Sequence, residues 1–154
     1  MSAPVTDDEL RLGLHRLQRL LSSRRAFSNL AGAAGVDLSQ QSAEVLGALG
    51  ADGAQPVAEV ARLARMDVAA VSRQLRTLEE RQLVRRRPSP NHRSVVLVET
   101  TARGRRLAQQ IDVVRRRHLE EVLAGWSTSE RAALGALLLR FVDDLQRTPF
   151  PTCE

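Results

Sequence analysis

The spacing of apolar positions predicts that the chain begins with an amphipathic helix. Within residues 7–25 leucines recur every three or four positions among polar side chains, at Leu10, Leu14, Leu17 and Leu21. The segment AGAAGVD at 31–37 is rich in glycine and small residues, which is typical of a loop. A second helix is predicted over 38–49, and Gly50 ends it.

The middle of the chain changes from helical to extended periodicity. Its segments are, in order, a helix over 57–64, a turn at 65–67, a helix over 68–81 and strands over 83–87 and 94–98. Pro88 and Pro90 place the connection between the two strands, since proline is unsuited to a central strand. Arg65 stands where such turns often have glycine, so we expect this turn not to need a positive φ angle.

Two long helices are predicted for the last third of the chain. The first covers 101–123 and carries an apolar face of Leu107, Ile111, Val114, His118 and Val122. Ser127 and Glu130 form a capping-box pattern that starts the second. That helix carries Leu134, Leu137, Leu138, Phe141, Val142 and Leu145. The outer helices either close over one another in a monomer or form a bundle shared by two chains.

Positive charge is concentrated in the middle third. The formal net charge is +5, but residues 56–106 hold 12 arginines and 5 acids, a local charge of +7. The chain contains no lysine, which genome base composition explains most simply. Arginine nevertheless offers forked donors that suit phosphates and guanine edges. A regional excess of this kind indicates a polyanionic partner.

Two short helices, a tight turn and a hairpin together indicate a winged helix-turn-helix. Ala61 is small where the helices approach each other, and Val71, Leu75 and Leu78 form the buried stripe of the second helix. Asp67 is a suitable N-cap for that helix. Its outer face supplies candidate DNA contacts, with alanines that permit close approach and polar groups for phosphates or base edges. These candidates are Ala69, Ala70, Ser72, Arg73, Gln74 and Arg76.

The hairpin LVRRRPSPNHRSVVLV, residues 83–98, supplies the wing. A charged hairpin beside such a helix reaches the adjacent minor groove or the flanking phosphates. The candidate contacts on the wing are Arg86, Arg87, Asn91, His92 and Arg93. Because helix and wing occur in the right order and both carry charge, double-stranded DNA is favoured over a merely solvated charge run.

The segment VAEVARLARMDVAAVSRQLRTLEERQLVRRRPSPNHRSVVLVETTARG resembles the core of a MarR-family transcriptional regulator. The specific features are the run RTLEERQLVRRRPSP and the TARG that opens a long helix. The resemblance implies a homodimer that binds palindromic promoter DNA, commonly a repressor released by a small-molecule effector or by oxidation. Asn91 stands where the family's wing often has an acid before the arginine, and a one-residue offset would place His92 there.

The predicted fold is mainly α (α+β), a winged helix-turn-helix with long N- and C-terminal dimerisation helices. Residues 38–100 are assigned to the DNA-binding region and residues 1–37 and 101–154 to the helical dimerisation region, all in one structural domain. Two alternatives remain for the function: a sequence-tolerant architectural DNA-binding protein, and a basic module that binds an acidic protein.

Other classes of function have little support in the sequence. No metal-ligand spacing, phosphate loop or nucleophile motif is present, so we expect no enzyme activity, no cofactor and no metal. No apolar run approaches a membrane span and no signal peptide is visible, so a cytoplasmic protein is expected. The single cysteine, Cys153, lies beside acidic groups and is interpreted as an incidental thiol rather than a redox sensor.

Overall fold

The computed structural model of the protein describes residues 7–50, 53–90 and 95–149. Within them the chain forms the helices α1 (Asp7–Leu21), α2 (Arg24–Ala33), α3 (Gln40–Leu49), α4 (Val57–Ala64), α5 (Val68–Glu80), α6 (Ala102–Val122) and α7 (Thr128–Arg147). The strands are β1 (Gln55–Pro56), β2 (Val84–Pro88) and β3 (Val96–Thr100). The predicted mainly α fold with a helix-turn-helix and a hairpin is confirmed.

The N-terminal region differs from the prediction of one helix over 7–25 and a loop at 31–37. α1 ends at Leu21, and Ser23 caps a separate helix, α2, by accepting a hydrogen bond from the Ala26 N–H. A serine at this position favours a helix start because its side chain satisfies a free N–H of the first turn. α2 continues through part of the expected loop and ends in a left-handed turn at Gly35, whose φ is 64°.

The sheet has three strands, not the two that were predicted. β3 lies in the centre, between β1 and β2, and both pairings are antiparallel. β1 is only two residues long, which is too short for any hydrophobic alternation to reveal it. Pro88 is the last residue of β2, an edge strand, where a missing N–H is tolerated.

One hydrophobic core joins α3, α4, α5 and the base of the hairpin. Its members are buried almost completely and include Val45, Leu46, Leu49, Val60, Ala61, Val71, Leu75, Leu78, Leu83, Val84 and Val98. The three α5 residues among them are Val71, Leu75 and Leu78, as the sequence predicts. Ala61 is buried in the same cluster, so its small side chain lies where α4 and α5 meet. The inward face of α5 is therefore immobilised.

A smaller cluster attaches α6 to the helices that precede the helix-turn-helix. Val36, Ala43 and Ile111 are buried together, with Phe27 and Leu30 packed against them. Phe27 and Leu30 lie three positions apart on α2, which is the helical spacing that marks its inner face.

The chain divides into two compact units, one up to Arg115 and one from Arg116. In the second unit the predicted capping box is confirmed: the Ser127 side chain accepts from the Glu130 N–H, and Glu130 accepts from the Ser127 N–H at 2.7 Å. Hydrogen bonds from the Ser127 hydroxyl and then its backbone N–H lower the pKa of Glu130. α7 buries none of its residues within the chain.

A close contact fixes the start of α6 against the base of the hairpin. The Thr101 N–H donates to the Leu83 carbonyl at 3.0 Å, and the Thr101 hydroxyl lies 2.8 Å from the Gln82 carbonyl. The same hydroxyl accepts from the Gly104 N–H, which caps the helix. A Cβ at Gly104 would lie 2.0 Å from the Leu83 carbonyl oxygen, so only glycine permits this approach.

Gly104→Ala is expected to destabilise the fold by about 2 kcal/mol, because α6 must shift away from rigid backbone at Leu83. Gly47→Ala is the matched control, since a Cβ there meets nothing within 4 Å. Alanine in that helix interior is expected to stabilise by about 1 kcal/mol. Urea unfolding of both variants measures the difference, and equal midpoints would contradict the tight contact at Gly104.

Candidate nucleic-acid interface

The turn between α4 and α5 adopts a left-handed conformation at Arg65. Its φ and ψ are 52° and 42°, so the expectation that this turn avoids a positive φ is wrong. The Met66 N–H donates to the Ala61 carbonyl and the Arg65 N–H to the Arg62 carbonyl, which is a Schellman motif. These bonds satisfy the carbonyls at the end of α4, although a side chain in this conformation costs about 1 kcal/mol relative to glycine.

α5 begins directly after this turn and is capped as predicted. Asp67 has extended backbone angles, and its carboxylate accepts a hydrogen bond of 2.7 Å from the Ala70 N–H. With Val71, Leu75 and Leu78 buried, the opposite side of the helix faces outward. α5 ends in a second Schellman motif, in which Gln82 has a φ of 59° and the Leu83 N–H donates to the Leu78 carbonyl.

The structure brings most of the predicted α5 residues to this outward side. Ala69, Arg73 and Arg76 are exposed, and Ala70 and Ser72 are half-buried at its margins. Exposed alanine at the N-terminal end leaves room for another surface to approach the helix closely. The two arginines lie three positions apart, so they occupy the same side of α5.

Gln74 does not belong to this outward side. Its amide oxygen accepts a hydrogen bond of 2.8 Å from the Ser42 hydroxyl, and its amide nitrogen donates to Gln41 Oε1 at 3.1 Å. Ser42 is buried, so the pair forms a polar link between α5 and α3. The Gln74 amide therefore holds two helices together, and a contact between Gln74 and DNA stays a prediction.

The three consecutive arginines of β2 face two different directions. Arg85 lies opposite Glu99 on β3 and its Nε lies 2.6 Å from that carboxylate, while Arg87 Nε lies 3.7 Å from the same group. Arg86 points to the other side and pairs with Glu79 of α5 at 3.1 Å. The predicted wing-tip residues Asn91, His92 and Arg93 lie outside the described residues, as does Cys153.

The arginines of the helix-turn-helix fall into two groups, those that pair with an acidic residue and those that do not. Arg62 binds Glu59, whose pKa is lowered chiefly by that hydrogen bond, and Arg81 binds the carboxylate and the carbonyl of Asp37. The other group consists of Arg65, Arg73 and Arg76, whose guanidinium groups have no hydrogen-bonding or ion-pair partner in the part of the chain that the structure describes. All three lie on the turn and the outward side of α5, where they form a patch of uncompensated positive charge.

Sequence reasoning missed the acids that organise these arginines. Glu99 becomes recognisable only once the hairpin register places it opposite Arg85. Glu79 precedes its partner Arg86 by seven residues, and the turn that brings them together has no marker such as glycine. The Ser42–Gln74 link spans 32 positions and had no signal in the sequence.

Neither a membrane span nor a metal site is found in the described part of the chain. None of its helices combines the length and the low polarity that crossing a bilayer requires. Among residues 7–50, 53–90 and 95–149, no three His, Cys, Asp or Glu side chains converge as metal ligands would.

Comparison with known proteins shows which family the chain resembles. A sequence model for the MarR family matches residues 36–93, which include the helix-turn-helix and the first strand of the hairpin. Over this segment the chain resembles the MarR family. It is 34% identical over 80 residues to an uncharacterized HTH-type transcriptional regulator, YdgJ, of Bacillus subtilis (strain 168), covering 52% of this chain and 49% of that protein. The chain thus spans about half the length of the curated relatives it matches.

Solved structures extend the likeness to nearly the whole chain. RV1404 from Mycobacterium tuberculosis has a TM-score of 0.74 at 25% identity, over 93% of this chain and 97% of that one. FabT of Streptococcus pneumoniae, solved in complex with DNA, has a TM-score of 0.72 at 20% identity, over 91% and 95%. The predicted resemblance to the MarR family and the predicted winged-helix fold are confirmed.

Proposed function

We propose that this chain is a DNA-binding transcriptional regulator of the MarR family rather than an enzyme. The observation that supports the proposal best is the patch formed by Arg65, Arg73 and Arg76, whose guanidinium groups have no partner among the described residues. Four nearby arginines, Arg62, Arg81, Arg85 and Arg86, are each paired with an acid, whereas the three arginines of the patch are not. Guanidinium groups on a helix with an exposed alanine end suit phosphates and guanine edges in a major groove.

The wing contributes a second contact region. Arg87 is half exposed and only loosely paired with Glu99, so it is available to a flanking phosphate. Asn91, His92 and Arg93 remain predicted contacts of the wing tip. The related FabT was solved bound to DNA, which supports DNA as the partner of the same fold here.

The purified protein is expected to prefer the DNA upstream of its own gene over a scrambled duplex by about 10³ at physiological salt. Arg73→Ala and Arg76→Ala should each lower the slope of log K against log salt by about one, because each removes one phosphate or base contact. Arg147→Ala is the control, since that arginine lies on α7 and is paired with Asp144. Fluorescence anisotropy at several salt concentrations measures all four proteins.

The alternative functions predict different results in the same DNA titration. Equal binding to both duplexes with a steep salt dependence would favour an architectural protein that contacts phosphates only. Absence of binding to either duplex at low salt would favour a basic module for an acidic protein partner, and the proposed function would be wrong.

The regulator is proposed to act as a homodimer on palindromic promoter DNA. α1 buries no residue within the chain, and its exposed leucines include Leu20 and Leu21 at 65% and 70% exposure. α7 likewise buries none, and it exposes Leu138, Val142 and Leu145. A second copy of the chain would cover these apolar surfaces, and two-fold symmetry would present two α5 helices to two half-sites.

Leu138→Ser combined with Leu145→Ser is expected to convert the dimer into a monomer, because it removes apolar area from one side of α7. Sedimentation should give about twice the 17.0 kDa chain mass for the unaltered protein and the single chain mass for the variant. Leu63→Ser is the control, since Leu63 is an exposed leucine of α4. A monomeric unaltered protein would contradict the dimer while leaving DNA binding to be judged separately.

The proposal includes repression that a small molecule relieves. A cleft of about 420 Å³ lies between α3 and α6. Ala43, Gly47, Ala108 and Ile111 give it an apolar side, and Arg105, Gln109, Asp112 and Arg115 give it a polar one. A small organic anion suits this combination. A ligand that favours a spacing of the two α5 helices unsuited to the operator would lower the affinity by population shift.

Benzoate at millimolar concentration serves as the simplest probe of that cleft. It is expected to weaken operator binding several-fold in the unaltered protein and to have less effect on Arg115→Ala, which loses one guanidinium of the cleft. Cyclohexanol at equal concentration controls for a non-ionic solute. Identical effects of benzoate on both proteins would exclude the cleft as its site of action.

A further inference from the structure

Arg86 is placed differently from the arginines on either side of it. Side chains alternate along β2, so Arg86 shares its face with the buried Val84 rather than with Arg85 and Arg87. Its side chain is 34% exposed, against 70% for Arg85 and 49% for Arg87. The guanidinium is therefore partly enclosed against α5 instead of extending into solvent.

Both partners of Arg86 belong to α5. Its Nε lies 3.1 Å from Glu79 Oε2, and its Nη2 donates to the Ser72 carbonyl at 3.5 Å. Ser72 and Glu79 are seven residues apart, about two helical turns, so Arg86 is held along the length of the helix rather than at one point. Glu79 is itself only 35% exposed, which keeps its carboxylate near the guanidinium.

This contact joins the two parts of the interface independently of the chain connection. α5 and β2 are already linked by the turn at Arg81, Gln82 and Leu83, which fixes one end of the strand. Arg86 adds an attachment two residues further along β2. The core holds the sheet at Val84 and Val98, so Arg86 adds a contact with α5 in the exposed part of β2.

We propose that Arg86 is a positioning residue, which holds the wing at a set angle to α5 through Glu79 and the Ser72 carbonyl and does not itself contact DNA. This rests on the proposed function and replaces the sequence-based expectation that Arg86 binds DNA directly. In this proposal Glu79 supports DNA binding by holding Arg86, although the negative charge of Glu79 repels phosphate.

The two roles for Arg86 predict opposite effects of removing Glu79. In the positioning role Glu79→Ala releases the wing and is expected to weaken operator binding at least about fivefold. In the contact role the same change frees Arg86 for a phosphate and removes a repelling charge, so binding becomes tighter. Glu80→Ala is the matched control, because Glu80 is the adjacent exposed acid and has no partner among the described residues. It is expected to leave binding unchanged or slightly tighter.

The salt dependence of operator binding by the Arg86→Ala variant is a second way to distinguish the two roles of Arg86. A positioning role predicts weaker binding with an unchanged slope of log K against log salt. A phosphate contact predicts a slope smaller by about 0.9, as expected for Arg73→Ala. Thermal unfolding and stoichiometric titration of each variant establish the fraction of folded protein that binds. If the Arg86→Ala variant does not fold, the operator affinities of Glu79→Ala and Glu80→Ala distinguish the two roles of Arg86.

The outcomes separate this inference from the proposed function. If the unaltered protein binds no duplex, the proposed function is wrong and the inference fails with it. If the unaltered protein binds but Glu79→Ala matches Glu80→Ala, the positioning role is wrong and the proposed function stands. Weaker binding by Glu79→Ala alone, with an unchanged slope for Arg86→Ala, supports the positioning role.

Discussion

The burial of one stripe of α5 is the constraint on which the rest of the structure depends. Val71, Leu75 and Leu78 are fully buried, and they are the positions at which α5 meets α3, α4 and the base of the hairpin. Burying such side chains stabilises by about 1.5–3 kcal/mol each, far more than an exposed ion pair contributes. The helix therefore cannot rotate about its axis, and the side that carries Arg73 and Arg76 remains outward. Both Schellman motifs then fix where this rigid element begins and ends.

The ion pairs orient side chains on this framework and contribute little to the free energy of unfolding. Exposed ion pairs such as Arg62 with Glu59 contribute little to the free energy of unfolding. Their effect is to decide which guanidinium groups remain available to an external anion. Glu99 holds Arg85 closely and Arg87 loosely, while Glu79 holds Arg86 against α5. The arginine-rich sequence is thereby divided into groups that organise the surface and groups that face outward.

Local rules predict several elements of the fold, although the N-cap at Ser23 that starts α2 was missed. Helical spacing and the N-cap at Asp67 placed α4 and α5 within about a residue of their observed bounds, and the capping box at Ser127 placed the start of α7. Prediction failed where the structure depends on contacts distant along the chain, as for β1, which exists only because β3 lies beside it. Among the candidate contacts, the link of Gln74 to α3 was not predicted, because its partners there are more than 30 positions away. Arg65 was misjudged for another reason: hydrogen bonds at the end of α4 outweigh the cost of a left-handed arginine.

The contact at Gly104 connects the proposed ligand cleft to the proposed DNA-binding surface. α6 forms one wall of the cleft through Ala108 and Ile111, and it begins where Thr101 and Gly104 meet the Leu83 carbonyl. Leu83 follows the turn that ends α5, and Arg86 lies three residues further on. A displacement of the start of α6 toward the hairpin meets no free space at this junction, because Gly104 lies directly against the backbone of Leu83. Such a displacement would push on the base of the hairpin, and the Arg86 contact would pass that push to α5. The proposed ligand cleft and the proposed DNA-binding surface are in this way connected through the glycine and the ion pair.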